Sequence, residues 1–208
     1  MPLYKAEAIN LRAINLGEAD KLVTLFSRGY GKIRAVAKGA RRTKSKFGGR
    51  LEIFTYNSLL LASGKNLDIV SQCETIESFY RIREGADRLK TGAYFLKLVD
   101  LTTEVGQRND ELFDLLLNSL FLLQKAEDLN QLARSFEVKL TNVEGFFPNL
   151  EKLHCSKQIK DAINQLDNGN FETRIERGIL KNIENMFKLW ISDHIGRDLN
   201  KLNIMESF

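Results

Sequence analysis

Up to about residue 80 the apolar side chains alternate along this chain, and beyond it they recur at helical spacing; this change of period most constrains the fold. Residues 4 to 14 place Ala6 and Ala8 on one parity and Ile9, Leu11 and Ala13 on the other, which predicts a bent or bulged strand. Lys21 to Ser27 reads as a second strand, and Arg28-Gly29-Tyr30-Gly31 turns the chain into a third at Lys32 to Lys38. Glu52 to Ala62 and Leu67 to Ile76, separated by Ser63-Gly64-Lys65-Asn66, complete five strands in under 80 residues, enough for a small closed barrel.

After residue 80, Asp87 to Val105 is apolar on more than one face and is expected to be a central helix. Asn109 followed by Asp110 and Glu111 reads as an N-cap with acids complementing the helix dipole. Another helix spans about Leu129 to Val143 and ends at Gly145 before Pro148. Ile159, Ile163 and Leu166 form a short apolar stripe, and a last long helix is expected to begin near Glu172, with Ile175, Ile179, Ile183, Met186, Phe187 and Trp190 as its core face. The fold class is α+β, a barrel followed by a helical region.

The net charge of +4 is concentrated in one place. Residues 28 to 50 hold nine Lys and Arg and no acid, and the rest of the chain has 22 basic against 27 acidic residues. A block of like charge repels itself unless a partner neutralises it, which points to a polyanion. A solvated loop that aids solubility is the alternative. Strand alternation puts Lys32, Arg34 and Lys38 on one face, opposite Ile33, Ala35 and Ala37. With Arg41, Arg42, Lys44, Lys46 and Arg50 they are the candidate nucleic-acid contacts, and Tyr30 and Phe47 are candidate base-stacking residues, with ordinary barrel packing as the other reading for each ring.

Other chemistries fail on spacing. Gly39 to Ser45 lacks the glycine that must precede Lys44-Ser45 in a phosphate-cradling loop, and Gly29-Tyr30-Gly31 lacks the third glycine of a dinucleotide fingerprint. His154 and His194 accompany no nucleophile signature, so no catalytic residue is nominated and the chain is read as a non-enzyme. Two cysteines, Cys73 and Cys155, and no apolar leader or spanning segment fit a cytoplasmic protein with no membrane partner.

Several runs resemble the RecO family of bacterial DNA repair and recombination mediators. They are Ala6-Glu7-Ala8-Ile9, the stretch Gly17-Glu18-Ala19-Asp20-Lys21-Leu22-Val23-Thr24-Leu25-Phe26, the stretch from Tyr30 to Arg42, and Phe47-Gly48-Gly49-Arg50-Leu51-Glu52. Glu77-Ser78-Phe79-Tyr80, Arg134-Ser135-Phe136-Glu137 with Gly145 and Pro148, and His194-Ile195-Gly196-Arg197-Asp198-Leu199 continue the likeness. The resemblance implies an N-terminal OB-fold over 1–79 and an α-helical domain over 80–208, with a degenerate zinc-finger-like insert at about 146–172.

It also implies binding of single- and double-stranded DNA, annealing of complementary strands, and loading of recombinase onto DNA coated with single-stranded DNA-binding protein. The implied protein partners are RecR and the acidic C-terminal tail of single-stranded DNA-binding protein; Lys181, Lys188, Arg197 and Lys201 are candidates for the tail, with solvated surface charge as the other reading. Where many members carry two C-x-x-C pairs, this chain has only His154-Cys155, so no zinc or other cofactor is expected. A general OB-fold nucleic-acid module, with RNA as one ligand, is the alternative function, and competition between DNA and RNA separates the two.

Overall fold

A computed structural model describes residues 1–169 and 173–201. Five strands, β1 (Leu3–Leu16), β2 (Asp20–Ser27), β3 (Gly31–Ala37), β4 (Tyr56–Ala62) and β5 (Asp68–Glu77), close into a barrel in the order β1-β2-β3-β5-β4. All pairs are antiparallel except β3 with β5, where Ala35 lies opposite Asp68 and Val36 opposite Ile69. This is the five-stranded OB-fold barrel. Alternation fills it as expected: Ala6, Ala8, Val23, Leu25, Ile33, Ala35, Ala37, Leu59 and Leu61 face inward and are buried.

Closure depends on β1, which pairs with β4 over Leu3–Ile9 and with β2 over Ala8–Leu16. The register slips between Asn10 and Arg12, so the parity switch seen in the sequence is a β-bulge, and Ala13 rather than an even-numbered residue packs toward the core beyond it. Asn10 is fully buried at the bend. Its Nδ2 donates to the carbonyls of Leu51 and Glu52, its backbone N–H donates to Thr55 O at 2.9 Å, and its carbonyl accepts from Phe54 N–H at 3.0 Å.

These bonds hold the segment before β4 out of the sheet. Gly48–Leu51 is a 3₁₀ turn, Phe54 takes a left-handed φ of 72°, and β4 begins at Tyr56 rather than at the expected Glu52. Ala40, Phe47 and Leu51 from this connection join the barrel core.

Helices α1 (Tyr80–Arg83), α2 (Ala86–Thr102) and α3 (Asp110–Leu123) belong with the barrel to one compact unit, Met1–Gln124. Helix α2 buries Ala93, Tyr94, Phe95, Leu96, Leu98 and Val99, more than one face, as its pattern predicts. Gly92 lets it come close: a Cβ there would lie 2.8 Å from the Phe54 ring. Asn109 caps α3 by accepting from Leu112 N–H at 2.9 Å.

A second unit begins at Lys125 and contains α4 (Leu129–Val143), α5 (Lys157–Asp167) and α6 (Arg177–Ile195). The Arg134-Ser135-Phe136-Glu137 run is its internal staple. Arg134 is paired with Glu137 at 2.8 Å and with Glu184 of α6 at 3.4 Å, the Ser135 hydroxyl donates to Leu166 O of α5 at 2.7 Å, and Phe136 is buried. The last helix starts at Arg177; Glu172, the expected start, lies outside the described residues. Extended residues precede it because the Gln131 side chain holds them, accepting from Ile175 N–H at 3.1 Å and donating to Thr173 O at 3.2 Å.

Replacing Asn10 by Leu leaves the carbonyls of Leu51 and Glu52 without its donor, and is expected to destabilise the barrel unit by about 2 kcal/mol in chemical denaturation. Unchanged stability would show that the bulge holds the bend without the side chain.

Candidate nucleic-acid interface

The basic segment begins on β3 and leaves it as a loop. Lys38 follows the strand in a turn, and Arg34, Lys38, Arg41, Arg42, Lys44, Lys46 and Arg50 are all exposed. The loop backbone is tied down although its side chains reach solvent. Gly39 N–H donates to Asp20 Oδ1 at 2.7 Å, Arg41 N–H to Ala19 O at 2.9 Å, and the Arg41 guanidinium to Gly17 O at 2.7 Å, so the loop lies against the β1–β2 connection.

Lys46 Nζ reaches Ser71 O at 2.7 Å and sits 5.1 Å from the Phe47 ring centre, and the Arg50 guanidinium donates to Lys46 O at 2.6 Å. Among the described residues, none of these seven cations is within salt-bridge distance of a carboxylate. Carbonyl contacts orient the Arg41, Lys46 and Arg50 side chains without cancelling their charge, which leaves an uncompensated cationic surface.

Three sequence-level candidates sit elsewhere. Lys32 is buried, with Nζ on Asp100 O at 2.6 Å and Asp100 Oδ1 at 3.2 Å, so it ties β3 to α2 instead of facing solvent with Arg34. Phe47 is 1% exposed and plugs the barrel, so its ring cannot stack a base. Tyr30 is 47% exposed, but it lies in the β2–β3 turn with its ring 4.9 Å from that of Tyr4. The seven residues of β3 separate it from the loop by about 20 Å. That turn needs glycine: a Cβ on Gly31, at φ 65°, would fall 1.9 Å from Gln107 O.

Arg12 escaped the sequence reading. The register sets it opposite Thr24 and Thr24 opposite Arg34, giving an outward row across β1, β2 and β3. The bulge decides which way Arg12 points, and the parity switch was its only sequence signal.

In the second unit, Lys181 and Lys188 both bind Glu184, at 3.0 and 2.6 Å, and Lys201 lies 3.8 Å from Asp198. Burial alone would raise the Glu184 carboxyl, but hydrogen bonds from Lys188 and Lys181 and the charge of Arg134 outweigh it and hold it at about 2. Lys188 and Arg197 line a groove of about 670 Å³ with Leu189, Ser192 and Asp193; Lys181 and Lys201 are not part of it.

Cys73 belongs to the barrel core, where burial pushes its thiol up to about 11, and His194 stacks on Phe146 with ring centres 3.8 Å apart. Among the described residues, no group of three or more His, Cys, Asp or Glu side chains is placed to hold a metal. A tetrahedral zinc site needs four such ligands. The expected insert at about 146–172 includes 170–172, which lie outside the described residues; its described part holds only a 3₁₀ turn, Leu150–Lys152, and α5. No helix among the described residues is long and apolar enough to cross a membrane.

Barrel topology and a cationic β3–β4 connection together define an OB-fold protein with an anion-attracting surface. Residues 1–79 match the family described as Recombination protein O N terminal, and residues 83–164 match Recombination protein O C terminal. The chain belongs to the RecO family of DNA repair proteins.

It is 44% identical over 156 residues to the DNA repair protein RecO of Pelotomaculum thermopropionicum, covering 74% of this chain and 60% of that relative. Against the RecO of Alkaliphilus metalliredigens it is 43% identical over 149 residues, 71% of this chain and 61% of the relative. Against that of Acetivibrio thermocellus it is 30% identical over 225 residues, 98% of this chain and 90% of the relative. The matched part thus spans about three fifths of the first two relatives' own length.

Two variants test these assignments. Lys32→Ala is expected to lower stability by about 1–3 kcal/mol while leaving the salt dependence of oligonucleotide binding unchanged. Because the Glu184 carboxyl is depressed, its contribution to stability is present above the unfolded value of 4.5 and is lost as pH falls toward about 2. Glu184→Gln should flatten the pH dependence of thermal melting across that window; a profile identical to wild type would mean the cluster adds no stability.

Proposed function

We propose that this chain is a recombination and repair mediator that binds single- and double-stranded DNA through the basic loop and the adjoining barrel face, and anneals complementary strands. The observation that carries the reading is the set of exposed cations from Arg34 to Arg50 with no carboxylate partner among the described residues, on a backbone fixed by hydrogen bonds. Phosphate repulsion opposes the meeting of two strands, and a surface that neutralises phosphates and leaves base edges free lowers that barrier without hydrolysing a nucleotide. The reading is therefore non-enzymatic and requires neither ATP nor zinc.

In the same proposal, the protein engages DNA coated with single-stranded DNA-binding protein and helps load recombinase, with RecR as partner. The groove lined by Lys188, Leu189 and Arg197, with Asp193 and Asp198 also on its wall, is the proposed seat for the acidic, apolar-ended tail of single-stranded DNA-binding protein, with Arg197 as the cation to meet it. Tyr30, exposed in the β2–β3 turn, is a proposed base platform apart from the loop.

The experiment is the annealing rate of complementary strands coated with single-stranded DNA-binding protein, without ATP, in the presence and absence of the chain. Acceleration is expected. Replacing Arg41, Arg42, Lys44 and Lys46 together by Ala should abolish it and reduce the slope of log affinity against log salt on single strands by about three. An unchanged slope would remove the loop from the interface.

A further inference from the structure

The outward face of β1–β3 has no exposed aromatic ring. Its outward positions carry Arg12, Ile14, Leu22, Thr24, Arg34 and Val36, and Phe26 is fully buried. A platform that stacks successive bases is therefore missing from the face where OB-folds hold oligonucleotides. In its place is a recess of about 270 Å³.

Ile14, Leu22 and Val105 give the recess aliphatic walls, Arg12 and Arg34 flank Thr24 across the strands, and the Lys32–Asp100 pair also lines it. Ile14 is 36% and Val105 59% exposed, so this apolar rim is open to solvent. Arg12 Nε is buried and has no hydrogen-bond partner among the described residues.

We infer that the recess takes one unstacked nucleobase of a single strand, with Arg12 and Arg34 meeting the base plane and its neighbouring phosphates. The inference rests on the nucleic-acid reading above and assigns a specific place on the surface to it. Size agrees: the recess is smaller than the roughly 300–1,000 Å³ pockets that enclose whole drug-sized ligands, which suits a base and not a dinucleotide. Aliphatic walls accept a base face, and guanidinium planes stack on bases as aromatic rings do. A paired, stacked base in a duplex cannot enter without being extruded, so the recess favours single strands.

The test compares binding of the full chain, by fluorescence anisotropy, to a single strand of about 15 nucleotides and to an abasic deoxyribose-phosphate strand of equal length and charge. The base-bearing strand is expected to bind about tenfold more tightly, with the same salt slope as the abasic one. The double variant Ile14→Ala, Val105→Ala strips the exposed rim and, made together with Tyr30→Ala and compared with Tyr30→Ala alone, should bring the two affinities together while keeping the salt slope; melting curves confirm that it folds. Equal affinities in the wild-type chain with normal salt dependence would overturn the recess and leave the nucleic-acid reading standing. A tenfold preference that survives in the combined variant would also overturn it, by locating base recognition elsewhere. No salt-dependent binding of either strand would overturn both readings.

Discussion

The barrel depends on one strand serving two neighbours that diverge. A straight β1 cannot stay in register with β4 at one end and β2 at the other, so the chain bends at Asn10 and inserts Leu11 as the extra residue of a bulge. Bending buries backbone groups that no longer have a ladder partner, and buried polar groups must be paired. The residues just before β4 supply those partners: the carbonyls of Leu51, Glu52 and Thr55 and the Phe54 N–H all meet Asn10. The same contacts place the 3₁₀ turn and its Leu51 under the barrel, with Phe47 beside it. The cationic loop is thus strung between the end of β3 and a plug that Asn10 holds.

That suspension explains how so much like charge is tolerated. The loop backbone has polar anchors at Gly39, Arg41, Arg42, Ser45 and Arg50, and apolar residues between the cations, Ala40 and Phe47, are buried in the core. The self-repulsion of the loop is borne by barrel packing and the β1–β2 connection, and its charge stays available to an external anion. Where neutralisation serves the fold instead, the cation is withdrawn: Lys32 meets Asp100, and Arg28 pairs with Asp114 and lies 4.9 Å over the Phe113 ring.

The helical unit solves a different problem, the burial of ionic groups. Arg134 is 4% and Glu137 0% exposed, a pair whose separation would leave an uncompensated charge in the interior. Glu184 extends the pair to α6 and gathers Lys181 and Lys188 at its outer side. The family-like run from Arg134 to Glu137 is accordingly a packing device in this chain, and the groove beside Lys188 and Arg197 takes no part in that packing.

The sequence by itself determined the features set by neighbouring residues. Period-two alternation fixed which residues of β3 face the core, the parity switch marked the bulge, and the Asn109 cap and the α4 limits follow from local helix-end chemistry. The density of cations between 28 and 50 was equally plain. Only the tertiary structure decided which charges and rings are available, because that depends on residues far along the chain. The Asp100 that withdraws Lys32 lies 68 positions away, and the outward direction of Arg12 depends on a bulge whose placement follows from barrel closure. Phe47 and Tyr30 occupy one basic segment, yet one is core and the other surface. Alternation is a property of the strand, whereas exposure is a property of whatever packs against it.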